Sequence, residues 1–186
     1  MENSTHQIVF TGSGGQGLIT AAIILGEAAV IHEGLEAVQS QSYGAAARGG
    51  ATRADVIIST EKINIPKINQ AGVLLCLTQE AYTRFGMLIR PGGLFITDTR
   101  FVKAVQKLDA IHIELDLYNK VVEEIGKPVV FNIAILGALL GIYPVVKKDS
   151  VVKALEHRFP PALRADNLKA LELGLTTGNL YHSWRF

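Results

Sequence analysis

The chain has 186 residues, 48% hydrophobic and 19% charged, with a formal net charge of +1. That length supports one well-buried domain and would cramp a second, so residues 1–186 are read as a single domain. Near-neutral charge without a long basic run excludes the electrostatic footprint of a nucleic-acid binder.

The opening Met1–Gln7 is polar and lacks the charged-then-apolar pattern of a secretory signal, so a cytoplasmic protein is expected. Gln7–Thr11 reads as a short apolar strand running into Gly12-Ser-Gly-Gly-Gln-Gly17. Apolar or small residues at Ile19, Ala22, Ile23, Gly26, Ala29 and Val30 then keep to one helix face, completing a strand, glycine loop, helix unit. Leu35–Val38 reads as a second strand and Asp55–Ser59 as a third, with Lys62–Ile65 as a hairpin or bent continuation. Val73–Leu77 and Gln79–Ile89 form a second strand–helix pair. The single cysteine, Cys76, lies inside that apolar strand; it cannot staple a fold or hold an iron–sulfur cluster alone.

Pro91-Gly-Gly93 is expected to turn the chain into a strand at Leu94–Thr97, and Ile111–Leu115 adds another. Tyr118–Ile125 is a short helix closed by Gly126 before Pro128. Val129–Val146 carries no charge, but its unbroken helical part, Asn132–Leu140, is far short of the roughly 20 residues of a membrane span. It is read as a buried core helix. Asp149–Glu156 opens on an N-capping aspartate and ends before Pro160-Pro161, and Asn167–Gly174 is the last helix. Strands alternating with helices give an α/β class: a three-layer α/β/α, Rossmann-like fold around a mainly parallel or mixed sheet.

Gly12, Gly14 and Gly17, with Gly15 and Gln16 between them, sit where a strand hands over to a helix. Glycines there permit a tight turn, let backbone N–H groups approach an anion, and set it against the positive end of the helix. A nicotinamide dinucleotide would also need an acid at the exit of the second strand, where Gln39, Ser40 and Gln41 stand instead. Anion binding and a purely structural turn remain open from the residues alone. There is no Gly-Lys-Ser/Thr, no Gly-x-Ser-x-Gly and no HExxH, and His6, His32, His112, His157 and His182 lack metal-ligand spacing. Asp98 reads as a strand-exit turn. No catalytic residue and no metal site is expected in this chain.

The segment Ser42-Tyr-Gly-Ala-Ala-Ala-Arg-Gly-Gly50 leaves the second strand with little but small side chains around Tyr43 and Arg48. Alanines and glycines let another surface come close to the backbone, and Gly49-Gly50 allows a sharp reversal. Taken with Gly12–Gly17, Ala51–Ser59 and Asn132-Ile-Ala-Ile-Leu-Gly137, this segment resembles the gamma subunit of the 2-oxoacid:ferredoxin oxidoreductases. That family includes the pyruvate, 2-oxoglutarate, 2-oxoisovalerate and indolepyruvate enzymes, and the likeness runs from about residue 7 to about residue 175. Arg48-Gly-Gly-Ala-Thr-Arg-Ala-Asp55 is most similar to the 2-oxoglutarate type, although Ala45-Ala46 stand where related chains carry Pro-Glu.

The resemblance implies a part of a larger enzyme that converts a 2-oxoacid to an acyl-CoA and passes electrons to ferredoxin. Thiamine diphosphate, Mg and iron–sulfur clusters are then expected on alpha and beta partners, and on a delta partner where one is present, with coenzyme A as co-substrate and neither nucleic acid nor membrane as a partner. It implies a part in enclosing coenzyme A, and Gly12, Gly14, Gly15, Gln16 and Gly17 are the expected binding residues for an anion or for coenzyme A. Ser42, Tyr43, Gly44, Arg48, Gly49 and Gly50 would face a partner or the shared active site. Arg48 offers a planar donor fork suited to carboxylate or phosphate, with an internal pair to Asp55 or Glu36 as the competing reading. The alternatives are a stand-alone Rossmann-type nucleotide-binding enzyme and a purely structural subunit.

Overall fold

The computed structural model describes residues 4–42, 50–105 and 107–181. Strands β1 (Thr5–Ser13), β2 (Glu36–Ser42), β3 (Ala51–Ser59), β4 (Ala71–Cys76), β5 (Ile89–Asp98) and β6 (Ala110–Leu115) form one sheet in the order β2-β3-β1-β4-β5-β6. β1, β4, β5 and β6 run parallel, while β3 runs antiparallel to both β1 and β2. The expected α/β class holds, with a mixed sheet. β2 is an edge strand, and its polar Gln39-Ser-Gln-Ser42 run suits an edge open to water.

Alternation along the strands divides the core in two. Ile8 and Phe10 of β1, Val73 and Leu75 of β4, and Leu94 and Ile96 of β5 point to the larger core. It is covered by helices α1 (Leu18–Glu27), α3 (Leu117–Glu124), α4 (Phe131–Ile142) and α5 (Lys148–Arg158). Val9, Leu74, Cys76 and Phe95 point the other way, to Tyr82 of α2 (Gln79–Phe85), Ile68 and Val102. The second layer is thus one short helix supplemented by irregular chain.

Every residue of α4 is buried, which fits a core helix with no polar face. Its outer side is taken by α6 (Pro161–Asn179) through a seam of glycines. A Cβ on Gly174 would lie 1.9 Å from the Ala134 carbonyl oxygen, and one on Gly137 would lie 2.2 Å from that of Leu171. Gly141 and Gly178 repeat the contact one turn on, at 2.5 Å from the Leu175 and 2.3 Å from the Ala138 carbonyl oxygens. Only hydrogen fits between these backbones.

Several boundaries differ from the sequence reading. α6 runs past Gly174 because that glycine packs against a neighbour instead of ending a helix. It also begins earlier, with Pro161 in the first turn, where the missing N–H costs nothing. Asn167, read as a helix start, lies inside α6 and donates to the Leu163 carbonyl. Pro91-Gly-Gly93 lies within β5, and Lys62–Ile65 forms neither strand nor hairpin. Asp149 sits in the first turn of α5 and does not cap it. The helix expected through Val30 ends as α1 at Glu27 and continues as a π-helical turn over Ala28–His32, which leaves Val30 and Ile31 exposed.

Two glycines in these helices should respond to substitution in opposite directions. Gly174→Ala should cost about 3 kcal/mol or more in denaturant unfolding, because backbone cannot yield as a side chain does. Gly26→Ala, with nothing within 4 Å of the added carbon, should instead gain roughly 0.5–1 kcal/mol of helix propensity. Burial lowers the His112 imidazole below its ordinary 6.5, against the opposing pull of Glu114, while His112 Nε2 and the Thr97 hydroxyl lie 2.8 Å apart. The unfolded chain therefore takes up this proton first, and stability is lost as pH falls below about 6.5. Acid titration of the unfolding free energy should show this slope, and His112→Gln should reduce it, with the His6 imidazole, which burial also lowers, supplying the remainder.

Candidate functional site

The loop between β1 and α1 lies at the carboxyl edge of the parallel strands. β1 and its parallel neighbour β4 send their connections to opposite faces, α1 into the larger core and α2 onto the other side. That divergence opens a crevice, the usual ligand position in open α/β sheets. Gly15 (φ 99°) and Gly17 (φ 72°) supply the left-handed turns that Cβ-bearing residues resist.

Gln16 braces this loop from within. The Ser13 N–H donates to its Oε1 at 2.8 Å, and its Nε2 donates across the crevice to the Leu77 carbonyl at 3.0 Å. A Cβ on Gly12 would meet that Oε1 at 2.3 Å, so Gly12 makes room for the brace. Asn132, in the first turn of α4, donates from Nδ2 to the Gly17 carbonyl at 3.1 Å. The same amide fills the space a Gly17 Cβ would need, 2.6 Å away. A Cβ on Gly14 would lie 3.7 Å from the Thr52 hydroxyl oxygen, and one on Gly15 would have nothing within 4 Å.

The amino end of α1 receives no side-chain cap and carries no acid in its first turn. Its partial positive charge, about half an elementary charge, is therefore not neutralised locally. It opens onto a cleft of about 440 Å³ that includes Gly15, Gly17, Thr20 and Asn132. Val129, 81% exposed, and Leu163, 48% exposed, give this cleft an apolar rim, and Lys127 is paired with Asp166 beside them. Polar loop, positive helix end and apolar rim together suit an organic anion or an approaching chain.

The second predicted segment begins and ends at this same edge. Ser42 pairs with Arg53, and Ala51 pairs with Ser13 of the glycine loop. Gly50 immediately precedes that pairing, and the Ala51 N–H donates to the Glu80 carboxylate of α2 at 3.2 Å. Tyr43, Gly44, Arg48 and Gly49 lie outside the described residues. The three sequence segments behind the family resemblance thus meet at the end of β1 through Gly14–Thr52, Ser13–Ala51 and Gly17–Asn132.

Other groups are committed to structure. Arg53 grips Asp55 with two bonds of 2.6 Å and donates to the Ile68 carbonyl at 2.8 Å, so the Asp55 carboxylate is already engaged. Asp98 is fully buried and accepts from the N–H groups of Arg100, Leu117 and Tyr118, tying the exit of β5 to the start of α3. Burial pushes its carboxyl upward against the pull of those bonds. Cys76 is buried, its thiol pushed up to about 12 by burial, with the Thr11 hydroxyl at 3.2 Å. A thiol so placed is not a nucleophile at neutral pH. Among the described residues no group of three or more His, Cys, Asp or Glu could hold a metal ion, and no helix is long and apolar enough to cross a membrane. Sequence reasoning gave no role to Asn132, Thr52 or Glu80. Only Asn132 carried a signal, as the lone polar residue near the start of an otherwise apolar helix.

Comparison with known proteins agrees with this geometry. The family model described as pyruvate ferredoxin/flavodoxin oxidoreductase matches residues 7–177. The 2-oxoglutarate synthase subunit KorC of Methanocaldococcus jannaschii is 39% identical over 170 residues, covering 90% of this chain and 91% of the relative. The KorC subunit of Methanothermobacter marburgensis is 34% identical over 174 residues, covering 90% and 94%. Among solved structures, the keto/oxoacid ferredoxin oxidoreductase gamma subunit from Geobacter sulfurreducens PCA is similar at 36% identity. It superposes with a TM-score of 0.87 over 96% of this chain and 98% of its own. With a family match across nearly the whole sequence and a gamma subunit that shares its fold end to end, the chain belongs to the pyruvate ferredoxin/flavodoxin oxidoreductase family.

Proposed function

We propose that this chain is the gamma subunit of a 2-oxoglutarate:ferredoxin oxidoreductase, inactive alone, which offers its β1 loop and the neighbouring 42–50 segment to an active site built with partner subunits. The observation that carries this reading is its likeness to 2-oxoglutarate synthase subunits over nine-tenths of its length. The described residues fit a supporting part: Cys76 and Asp98, both pushed upward by burial, are engaged internally.

In the complex, 2-oxoglutarate loses carbon dioxide, its acyl group passes to the thiol of coenzyme A, and the released electron pair reduces ferredoxin. Alpha and beta partners, and a delta partner where present, would carry thiamine diphosphate, Mg and the iron–sulfur clusters. The solitary buried Cys76 does not fit a cluster. The glycine loop does fit an anionic co-substrate. Gly15 leaves the approach to the uncapped α1 end open, and Thr20 offers a hydroxyl one turn in. Gln16 and Asn132 hold that loop in place, so binding there need not order it first. Their part is to position; the chemistry belongs to the partners. Arg48 would contribute a guanidinium to a partner carboxylate or a phosphate.

Co-expression with alpha and beta chains should yield a complex that reduces ferredoxin only when 2-oxoglutarate and coenzyme A are both supplied. Full activity without this chain contradicts the proposal. Thr20→Glu offers a sharper test of the loop. A carboxylate in the first turn of α1 should stabilise the helix by roughly 0.3–1 kcal/mol. It should nevertheless raise the apparent KM for coenzyme A by about 10-fold or more through like-charge repulsion. Arg48→Ala should lower turnover with assembly retained; unchanged assembly, kcat and KM would remove Arg48 from the site.

A further inference from the structure

At the opposite, amino edge of the same sheet lies a second cavity of about 440 Å³, and the function proposed above makes no use of it. Its construction begins with Pro91-Gly92-Gly93, read from sequence as a simple turn. Between the pairs Ala71–Ile89 and Val73–Leu94, β4 contributes only Gly72, whereas β5 contributes the four residues Arg90–Gly93. This excursion depends on glycine at three points. Gly92 adopts φ 68° and is tied to the Asp109 carbonyl at 2.8 Å. A Cβ on Gly93 would strike the Gly72 carbonyl oxygen at 3.0 Å, and one on Gly72 would lie 3.8 Å from Arg90 Nε. The strand departs from its ladder here, and the outcome is a guanidinium laid over a residue that has no side chain.

The rest of the cavity wall is positioned as deliberately. Ile68 is 1% exposed, and its carbonyl is held by the Arg53–Asp55 pair, which anchors the flanking Lys67 and Asn69 at the cavity. From the other side come His6 of β1 and Tyr143, whose imidazole Nδ1 and hydroxyl lie 2.6 Å apart. Arg90 is close enough to Tyr143 for its charge to act on that hydroxyl. Arg90 and Lys67 have no carboxylate partner, and no Asp or Glu lines the cavity, among the described residues. Two cations, an amide and a hydroxyl–imidazole pair therefore converge on one concave space. Donor-rich, carboxylate-free concavities with an arginine fork match the geometry of a phosphoryl group.

We propose that this amino-edge cavity is a binding site for a phosphate group, held by Arg90 and Lys67 with Asn69 and the His6–Tyr143 pair, and separate from the glycine-loop cleft. The source is inorganic phosphate or the phosphoester of a small metabolite, and the two are separable by titration. The full-length chain and the assembled complex would each be titrated calorimetrically with inorganic phosphate and, in parallel, with adenosine monophosphate as a phosphomonoester. Saturable one-to-one binding that weakens with added salt is expected in both preparations. Tighter binding of one probe identifies the source. Arg90→Gln should weaken binding about 10-fold or more, and Lys67→Gln, on a different segment, should weaken it independently of any effect of the first change on folding. Absence of saturable binding to the unmodified chain at millimolar probe overturns the proposal. So does binding that both variants retain. Binding by the isolated chain that vanishes in the complex would also overturn it, assigning the cavity to an acidic segment of a partner.

Discussion

The backbone contact between α4 and α6 governs the rest of the molecule. Four glycines, Gly137 and Gly141 facing Gly174 and Gly178, bring the two helices to carbonyl contact. That approach sets how deeply α4 sits in the larger core, and α4 is the helix whose first turn delivers Asn132 to the glycine loop. The seam is therefore more than packing. It fixes, through one rigid helix, the position of an amide that both hydrogen-bonds Gly17 and occupies the volume that keeps residue 17 a glycine. Gln16 performs the matching task from the sheet side, linking the ends of β1 and β4. Between them the loop is held from two directions with its helix end uncapped and open to a ligand.

This arrangement suits a subunit that serves a larger catalytic complex. Rigid placement of an anion-friendly helix end lowers the ordering cost when substrate or partner arrives. The apolar rim of Val129 and Leu163 beside that end supplies surface suited to exclude water once something covers it. The same sheet offers a different chemistry at its other edge. There a strand bulge carries Arg90 away from the glycine loop, so the two edges do not compete for one ligand. Arg53 and Asp55, the pair that made the second segment look like the 2-oxoglutarate type, sit opposite Thr11 and Val9 of β1, and the Arg53 side chain reaches the Ile68 carbonyl, whose neighbours Lys67 and Asn69 line the far cavity.

Local periodicity revealed the parallel strands, the glycine loop and the apolar α4 because each follows from residues adjacent in sequence. The direction of β3 was not visible, since its pairing with β1 and β2 depends on partners far along the chain. Glycines misled wherever they answered to tertiary contact. Gly174 looked like a helix stop and is a packing surface; Gly92-Gly93 looked like a turn and is a bulge that carries an arginine. The site was legible as three separate segments. Their meeting point was not, because the Gly14–Thr52 approach and the Asn132–Gly17 bond join residues distant in sequence. The roles of Tyr43, Gly44, Arg48 and Gly49 rest on the resemblance.

Hydrogen–deuterium exchange of the full chain, alone and assembled with alpha and beta subunits, tests the central claim most directly. The α4–α6 seam should be protected in both states, because its bonds are internal. The amides of Gly14–Thr20 and the 42–50 segment should gain strong protection only on assembly, since the proposed function has partners and co-substrate meet this chain at that edge. A complex that forms while leaving those amides exchanging as in the isolated chain would contradict the account.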